Sequence, residues 1–392
     1  MAGQNGLRPR VGLPRGRGLA GLALLLLGSS AARAEEPAAL RLDQAQVIGT
    51  HNSYHVAPDP VALRIVGGAA PGEARASDCT QRPILDQLER LGVRQLELDL
   101  YLDPKGGLYA RPMALGVAAK EGTLVPPHDP ERKLRAPGIK VLHSPDFDFR
   151  TTTLTLVDAL TEVRAWSDRH RGHFPVFLLL ELKSQSFWPL TRPPKWDAAG
   201  LEALEREVLG VLPRERLLTP DDVRGSAATL REAVAGRGWP ALDSARGKVV
   251  LLLDNEGDER EAYLAPSPTL AGRLLFVSVP REHPAAAFMK RNDPVGGFDD
   301  IRALVAAGFL VRTRADEATV AARANDPTRR DRALASGAQL VSTDYPEPDL
   351  RLSPYAVRLP GGVVARANPV SGVPGAGGAD LEPEAASEPE GR

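Results

Sequence analysis

Short apolar runs recur along this chain at intervals that leave room for a helix between them. Eight stand out, at 45–51, 94–102, 139–144, 176–183, 249–254, 274–279, 309–314 and 338–343. Each is rich in Val, Leu or Ile and nearly continuous, the pattern of strands covered on both faces, as in parallel sheets flanked by helices. Between them, apolar positions recur with helical spacing at 81–91, 154–170, 199–212, 298–308 and 328–337. Alternating β and α units predict an α/β fold. Eight of them predict one closed domain, a (β/α)8 TIM-type barrel, which needs roughly 250 residues. The stretch 213–248 does not divide cleanly. The stretch 103–138 is rich in Gly and Pro and reads as one long loop.

Both ends depart from the pattern. Arg8, Arg10, Arg15 and Arg17 precede a short apolar run, Leu19 to Leu27, and a small-x-small site at Ala32-Arg33-Ala34. That order predicts a secretory signal peptide over 1–34. The run is too short to cross a bilayer, which takes about 20 residues. The barrel is then expected over 35–365, in a secreted or periplasmic protein. From 366 to 392 the chain is Gly, Pro, Ala and Glu with few large apolar residues, and a disordered tail is expected.

Charge narrows the function. The net charge is −1 over the 392 residues, and loss of the five leader arginines takes it to −6. A nucleic-acid binder would carry a basic excess, so none is expected as a partner. Cys79 is the one cysteine, which excludes an internal disulfide and predicts a buried or capping thiol.

The polar residues cluster at strand ends, where a (β/α)8 barrel carries its active site. The first run ends in Gly49-Thr50-His51-Asn52-Ser53-Tyr54-His55 and the second contains Glu97-Leu98-Asp99. The third ends in His143-Ser144 and the fourth in Glu181-Leu182-Lys183. Glu97 and Asp99 are two apart, so they share one face of a strand about 7 Å apart along it, and Glu181 and Lys183 do the same. Each feature alone has an ordinary structural explanation, such as an ion pair or a strand histidine. Together they are hard to explain without a cation, because three carboxylates at one mouth repel. Oxygen donors suit Ca2+ or Mg2+, and the Asn52 amide leans the choice to Ca2+. His170 and His173 read as surface residues after a helix, and His55 as a supporting residue.

Ile48-Gly49-Thr50-His51-Asn52-Ser53-Tyr54, Glu97-x-Asp99, Leu142-His143 and Leu180-Glu181 resemble the catalytic X region of phosphoinositide-specific phospholipases C, in their bacterial calcium-dependent branch. Phe288 to Pro294, Val311 to Asp316 and Ser336 to Tyr345 extend the likeness to residues 43–350. The resemblance implies that Asn52, Glu97, Asp99 and Glu181 hold Ca2+ and that His51 and His143 flank the phosphate, with their acid and base roles open. Lys183 and Arg314 are candidates for substrate contact on charge alone. The implied substrate is a phospholipid, met in transient contact with a membrane surface by a monomer, and Phe187-Trp188-Pro189-Leu190 is a candidate apolar rim. Competing readings are a glycerophosphodiester phosphodiesterase of the same superfamily, a glycoside hydrolase using Glu97 and Glu181, and a non-catalytic lipid-binding barrel.

Overall fold

The computed structural model describes residues 39–185, 191–372 and 378–382. The expected leader and the Phe187–Leu190 rim lie outside the described residues, as do 373–377 and 383–392 of the expected tail.

Eight parallel strands form the barrel. They are β1 (Ala45–Thr50), β2 (Gln95–Tyr101), β4 (Val176–Lys183), β5 (Val249–Leu253), β6 (Leu275–Val277), β7 (Phe288–Lys290), β8 (Leu310–Arg314) and β9 (Leu340–Thr343), in the spatial order β6-β5-β4-β2-β1-β9-β8-β7. The ring closes through one parallel bridge, Ser278 to Phe288. Two short strands lie off the ring: β3 (Lys140–Val141) is antiparallel to the end of β2, and β10 (Ala365–Ala367) is antiparallel to the start of β1.

The expected number of barrel strands is right and its membership is not. The run at 139–144 lies outside the barrel, because the 103–138 connection doubles back over the mouth and meets β2 head to tail at Leu100–Val141. β2 pairs directly with β4 instead, and the eighth ring strand is Phe288–Lys290, between β6 and β8, only three residues long; it follows the buried Ala285-Ala286-Ala287 with no helix between β6 and β7. The 103–138 connection also carries a helix, Met113–Lys120.

Local chemistry explains the long helices. In Leu156–Arg169, Leu156, Ala159, Leu160, Val163 and Trp166 are buried at helical spacing, and the Thr155 hydroxyl caps the Asp158 N–H at 3.0 Å. In Ala198–Val211 the Asp197 carboxylate caps the Gly200 N–H at 2.9 Å. Strands β4 and β5 bury Val176–Leu180 and Val249–Leu253 completely, against helices on one face and the barrel interior on the other. β1 and β2 pair in register at Gly49 and Gln95, where a Cβ on Gly49 would lie 2.1 Å from the Gln95 Oε1. A side chain there would push the first two strands of the site apart.

The expected tail boundary at 366 falls inside β10. Asn368 is buried and donates to the Gly337 carbonyl at 2.6 Å. Glu382 pairs with Arg94 at 2.7 Å, both side chains nearly enclosed, and also accepts from the Phe174 N–H at 2.6 Å. Composition missed this because one buried ion pair and a three-residue strand anchor the segment, not an apolar cluster. Glu382→Ala would leave Arg94 buried and uncompensated, so it is expected to lower unfolding free energy by about 3 kcal/mol. Urea denaturation measures this, and an unchanged midpoint would mean that the tail contributes nothing.

Candidate active site

The alternation of β2 sends Leu96, Leu98 and Leu100 into the helix-packed core and leaves Glu97 and Asp99 facing the barrel interior. β2 and β4 run in register, so Asp99 lies opposite Glu181 and Tyr101 opposite Lys183. The carboxylates of Glu97, Asp99 and Glu181 each bring an oxygen within 4.8 Å of the others. Asp99 is fully buried, and neither of its oxygens has a hydrogen-bond partner among the described residues. Lys183 Nζ makes an ion-pair contact with Asp99 Oδ2 at 3.1 Å, outside hydrogen-bond alignment, and reaches Glu181 Oε1 at 2.8 Å. Burial and the Asp99 charge push the Glu181 pKa up to about 7, against the opposing pull of Lys183.

Arg312 on β8 reaches across the barrel to Glu97 Oε2 and bonds Asn292 Oδ1 at 2.5 Å. Asn52 follows β1 with a left-handed backbone, φ 43°, and the Tyr54 hydroxyl donates to its Oδ1 at 3.4 Å. The N–H of the next residue, Ser53, donates to the Glu97 carbonyl at 2.9 Å, which keeps Asn52 beside the nest, and burial and the adjacent Asp99 push the Tyr54 phenol well above its usual range. Orphaned buried carboxylate oxygens, oxygen-only donors and an amide at the edge fit a hard divalent cation such as Ca2+.

Two histidines stand at the nest, each held by a carboxylate. His51 Nδ1 lies 2.7 Å from Asp344 Oδ1, and its Nε2 faces Glu97 Oε1 at 3.7 Å. Arg314 contacts the same ring at 3.3 and 3.4 Å and Asp344 Oδ2 at 3.0 Å. Burial alone would raise the Asp344 pKa, but His51 and Arg314 hold it well below the carboxylate range. Asp316, pushed up to about 6 by burial and by Asp344, accepts the Asp344 N–H at 2.8 Å and fixes the backbone there.

His143 Nδ1 lies 2.7 Å from Asp148 Oδ2. Its enclosed edge faces Asp148, while 34% of the side chain opens to a cavity of about 630 Å³ that Glu181 and Lys183 also line. Burial lowers its pKa, Asp148 more than reverses that, and the result is about 9. The other oxygen of Asp148 holds His55 Nε2 at 2.7 Å.

The structure therefore brings together all eight residues expected at the site: His51, Asn52, Glu97, Asp99, His143, Glu181, Lys183 and Arg314. His143 arrives by a different route, in the bend that follows β3. Sequence reasoning did not single out Asp148, Asp344, Arg312 or the pair Lys290–Asp254, which closes at 2.9 Å. Asp344 was visible as a polar residue just past the end of β9, and Arg312 as a charge in the middle of β8. Asp148 lies in a loop with no periodicity to mark it. His173, expected at the surface, is buried against Ser167 at 2.8 Å, and burial pushes its pKa down to about 4. His170 is half-buried and stacks on the Trp166 ring at 4.7 Å. Cys79 is buried, as expected.

The family model for phosphoinositide phospholipase C, Ca2+-dependent, matches residues 40–369. The chain belongs to that family. The Ca2+-dependent phospholipase C described here is thus a phosphoric diester hydrolase by family, with Ca2+ as its metal. Its barrel aligns with the calcium-dependent phosphoinositol-specific phospholipase C of a Gram-negative bacterium, Pseudomonas sp, with TM-score 0.51 and 18% identity over 85% of this chain and 97% of that one. The corresponding figures for the Ca2+-dependent phosphatidylinositol-specific phospholipase C of Streptomyces antibioticus are 0.50, 18%, 79% and 96%. At this identity the two structures support the fold. No curated protein matches the chain.

Two outcomes follow for this phospholipase C. Ca2+ bound only by the folded state raises Tm by mass action, and Asp99→Asn is expected to remove most of that Ca2+-dependent increment in a thermal melt. A full increment in the variant would move the metal elsewhere. Separately, His143 and His55 have folded pKa values of about 9 and about 10, above the 6.5 of a free histidine. Their contribution to stability is complete below about pH 6.5 and is lost as pH rises through those values. The metal-free enzyme should lose urea resistance between about pH 7 and about pH 10, and Asp148→Asn should flatten that slope.

Proposed function

We propose that this chain is an exported phosphatidylinositol-specific phospholipase C that releases diacylglycerol and a cyclic inositol phosphate. The observation that carries the reading is the pair of histidine–carboxylate contacts, His51–Asp344 and His143–Asp148, at one buried carboxylate nest. Asn52, Glu97, Asp99 and Glu181 would hold Ca2+. Bound there, Ca2+ supplies charge stabilisation to the phosphoryl oxygens and acidifies the inositol 2-hydroxyl.

The side chains divide the proton transfers. Asp344 occupies His51 Nδ1, so Nε2, facing the nest, takes the proton of the 2-hydroxyl. That oxygen attacks phosphorus, and the bond from phosphorus to the glycerol oxygen breaks. Asp148 keeps His143 cationic near neutral pH, and His143 donates its proton to the leaving oxygen. Water can open the cyclic product with the two roles reversed. Arg314, against the His51 ring, and Lys183, at the cavity, supply positive charge to the phosphodiester. Arg312 neutralises one carboxylate of the nest, so Ca2+ and a substrate anion meet a nearly balanced site.

Export rests on the leader at 1–34, and no helix of the described residues is long and apolar enough to cross a membrane. The reading has the enzyme meet its phospholipid in transient contact with a membrane surface, acting as a monomer.

The test gives purified protein phosphatidylinositol vesicles with Ca2+, with chelator, and with His51→Ala or His143→Ala. Water-soluble inositol phosphate is expected with Ca2+ only, and each substitution should lower kcat by about 10²–10⁴-fold. Turnover of glycerophosphodiesters alone would move the reading to the related phosphodiesterases. Lipid binding without turnover would leave a binding barrel.

A further inference from the structure

His55 takes no part in the reaction as described, yet it is one of the most tightly held side chains near it. It is 2% exposed. Its Nδ1 lies 3.0 Å from the Cys79 carbonyl oxygen and its Nε2 2.7 Å from Asp148 Oδ1. A carbonyl and a carboxylate have no proton to give, so both ring nitrogens are donors and the ring is held as an imidazolium. The ring stands edge-on to His143, with centroids 5.7 Å apart and an interplanar angle of 85°. One carboxylate, Asp148, therefore holds two imidazoles at right angles.

The backbone on both sides is fixed to keep it so. The His55 N–H donates to the Asn52 carbonyl at 2.8 Å, and the His55 carbonyl accepts the Gln81 N–H at 2.8 Å. His55 also bridges Thr151, and the Thr152 N–H donates to the Tyr54 carbonyl at 2.7 Å. Ser144 and Asp148 exchange backbone hydrogen bonds of 2.8 and 3.2 Å, closing the turn that carries Asp148 back beside His143. Asp148 has no arginine or backbone N–H on its carboxylate among the described contacts; its two oxygens go to the two histidines. Without His55, one oxygen would be free and the carboxylate could rotate about its χ angles away from His143.

We propose that His55 is a positioning residue for the leaving-group step: by holding Asp148 Oδ1, it fixes Asp148 Oδ2 on His143 and so aims the His143 proton at the departing oxygen. The inference rests on the reading of His143 as proton donor. It also makes the turn 51–55 common to both halves of the reaction, since His51 and Asn52 serve the nest and His55 serves His143.

The test compares two leaving groups at saturating Ca2+. Phosphatidylinositol expels an alkoxide and needs the donor. A p-nitrophenyl inositol phosphodiester expels a stable phenolate and hardly needs it. His55→Phe should lower kcat on phosphatidylinositol by about 10–100-fold, with KM little changed, and leave turnover of the nitrophenyl ester nearly intact. His55→Gln, which can still donate to Asp148, should restore most of the loss. If His55→Phe does not fold, His55→Asn, too short to reach Asp148, takes its place with the same selectivity expected. His143→Ala is the reference. When it is selective for the alkoxide and the His55 variants lose both substrates equally, or neither, the positioning role is overturned and the donor survives. When His143→Ala itself lacks selectivity, the donor reading is overturned and the positioning role goes with it.

Discussion

Glu97, Asp99 and Glu181 cannot stand together inside a barrel without positive charge placed around them. Removing an ion from water costs several kcal/mol even after relaxation. The interior answers with a lattice in which acids and bases come from different strands: Arg312 on Glu97, Lys183 between Asp99 and Glu181, Lys290 on Asp254, Arg314 on Asp344. The balance is incomplete at Asp99, whose oxygens lack hydrogen bonds. A divalent cation held there would complete it. The candidate metal site is the part of the lattice that the protein alone does not neutralise, and a cation there would let the fold concentrate charge without a larger penalty.

The same lattice sets where the two histidines stand. His51 leans on Asp344 at the Glu97 end, and His143 leans on Asp148 on the cavity side with Glu181 and Lys183. Had His143 come from a barrel strand, it would have joined the lattice as one more interior charge. The 103–138 connection instead doubles back, and the short antiparallel strand Lys140–Val141 lays His143 over the mouth. Its exposed edge then faces the cavity while its Nδ1 stays enclosed. The detour brings the second histidine to the nest from outside the ring of strands, beside Glu181 and Lys183.

Most of the fold was legible because its signal is periodic. Leu96, Leu98 and Leu100 alternate with Glu97 and Asp99, and that alternation gives both the strand and the inward face. The site residues were legible for the same reason: a charged side chain in an otherwise apolar strand demands an explanation. What escaped the sequence was whatever depends on contacts between distant segments. Phe288–Lys290 is too short for a period and enters the ring only because β8 and the Ser278 bridge receive it. Glu382 looked like tail composition, and its partner Arg94 is 288 residues away. Asp148 and Asp344 matter through the histidines they hold, a relation that no local pattern records.

The same logic separates what can vary from what cannot. Outward leucines of β2 and β4 need only fill volume, and hydrophobic exchanges of similar size cost little. Inward charges are tied in pairs, so a change at one strands its partner in the interior. Arg312 illustrates this: it is enclosed, it holds Glu97 and Asn292, and it touches no residue assigned to the phosphate. Its importance comes from Glu97, one oxygen of which faces His51 while Arg312 holds the other. A neutral residue at 312 would free both oxygens and add one uncompensated charge to the nest. The barrel thus ties its stability to the candidate site at the same positions, through charge balance.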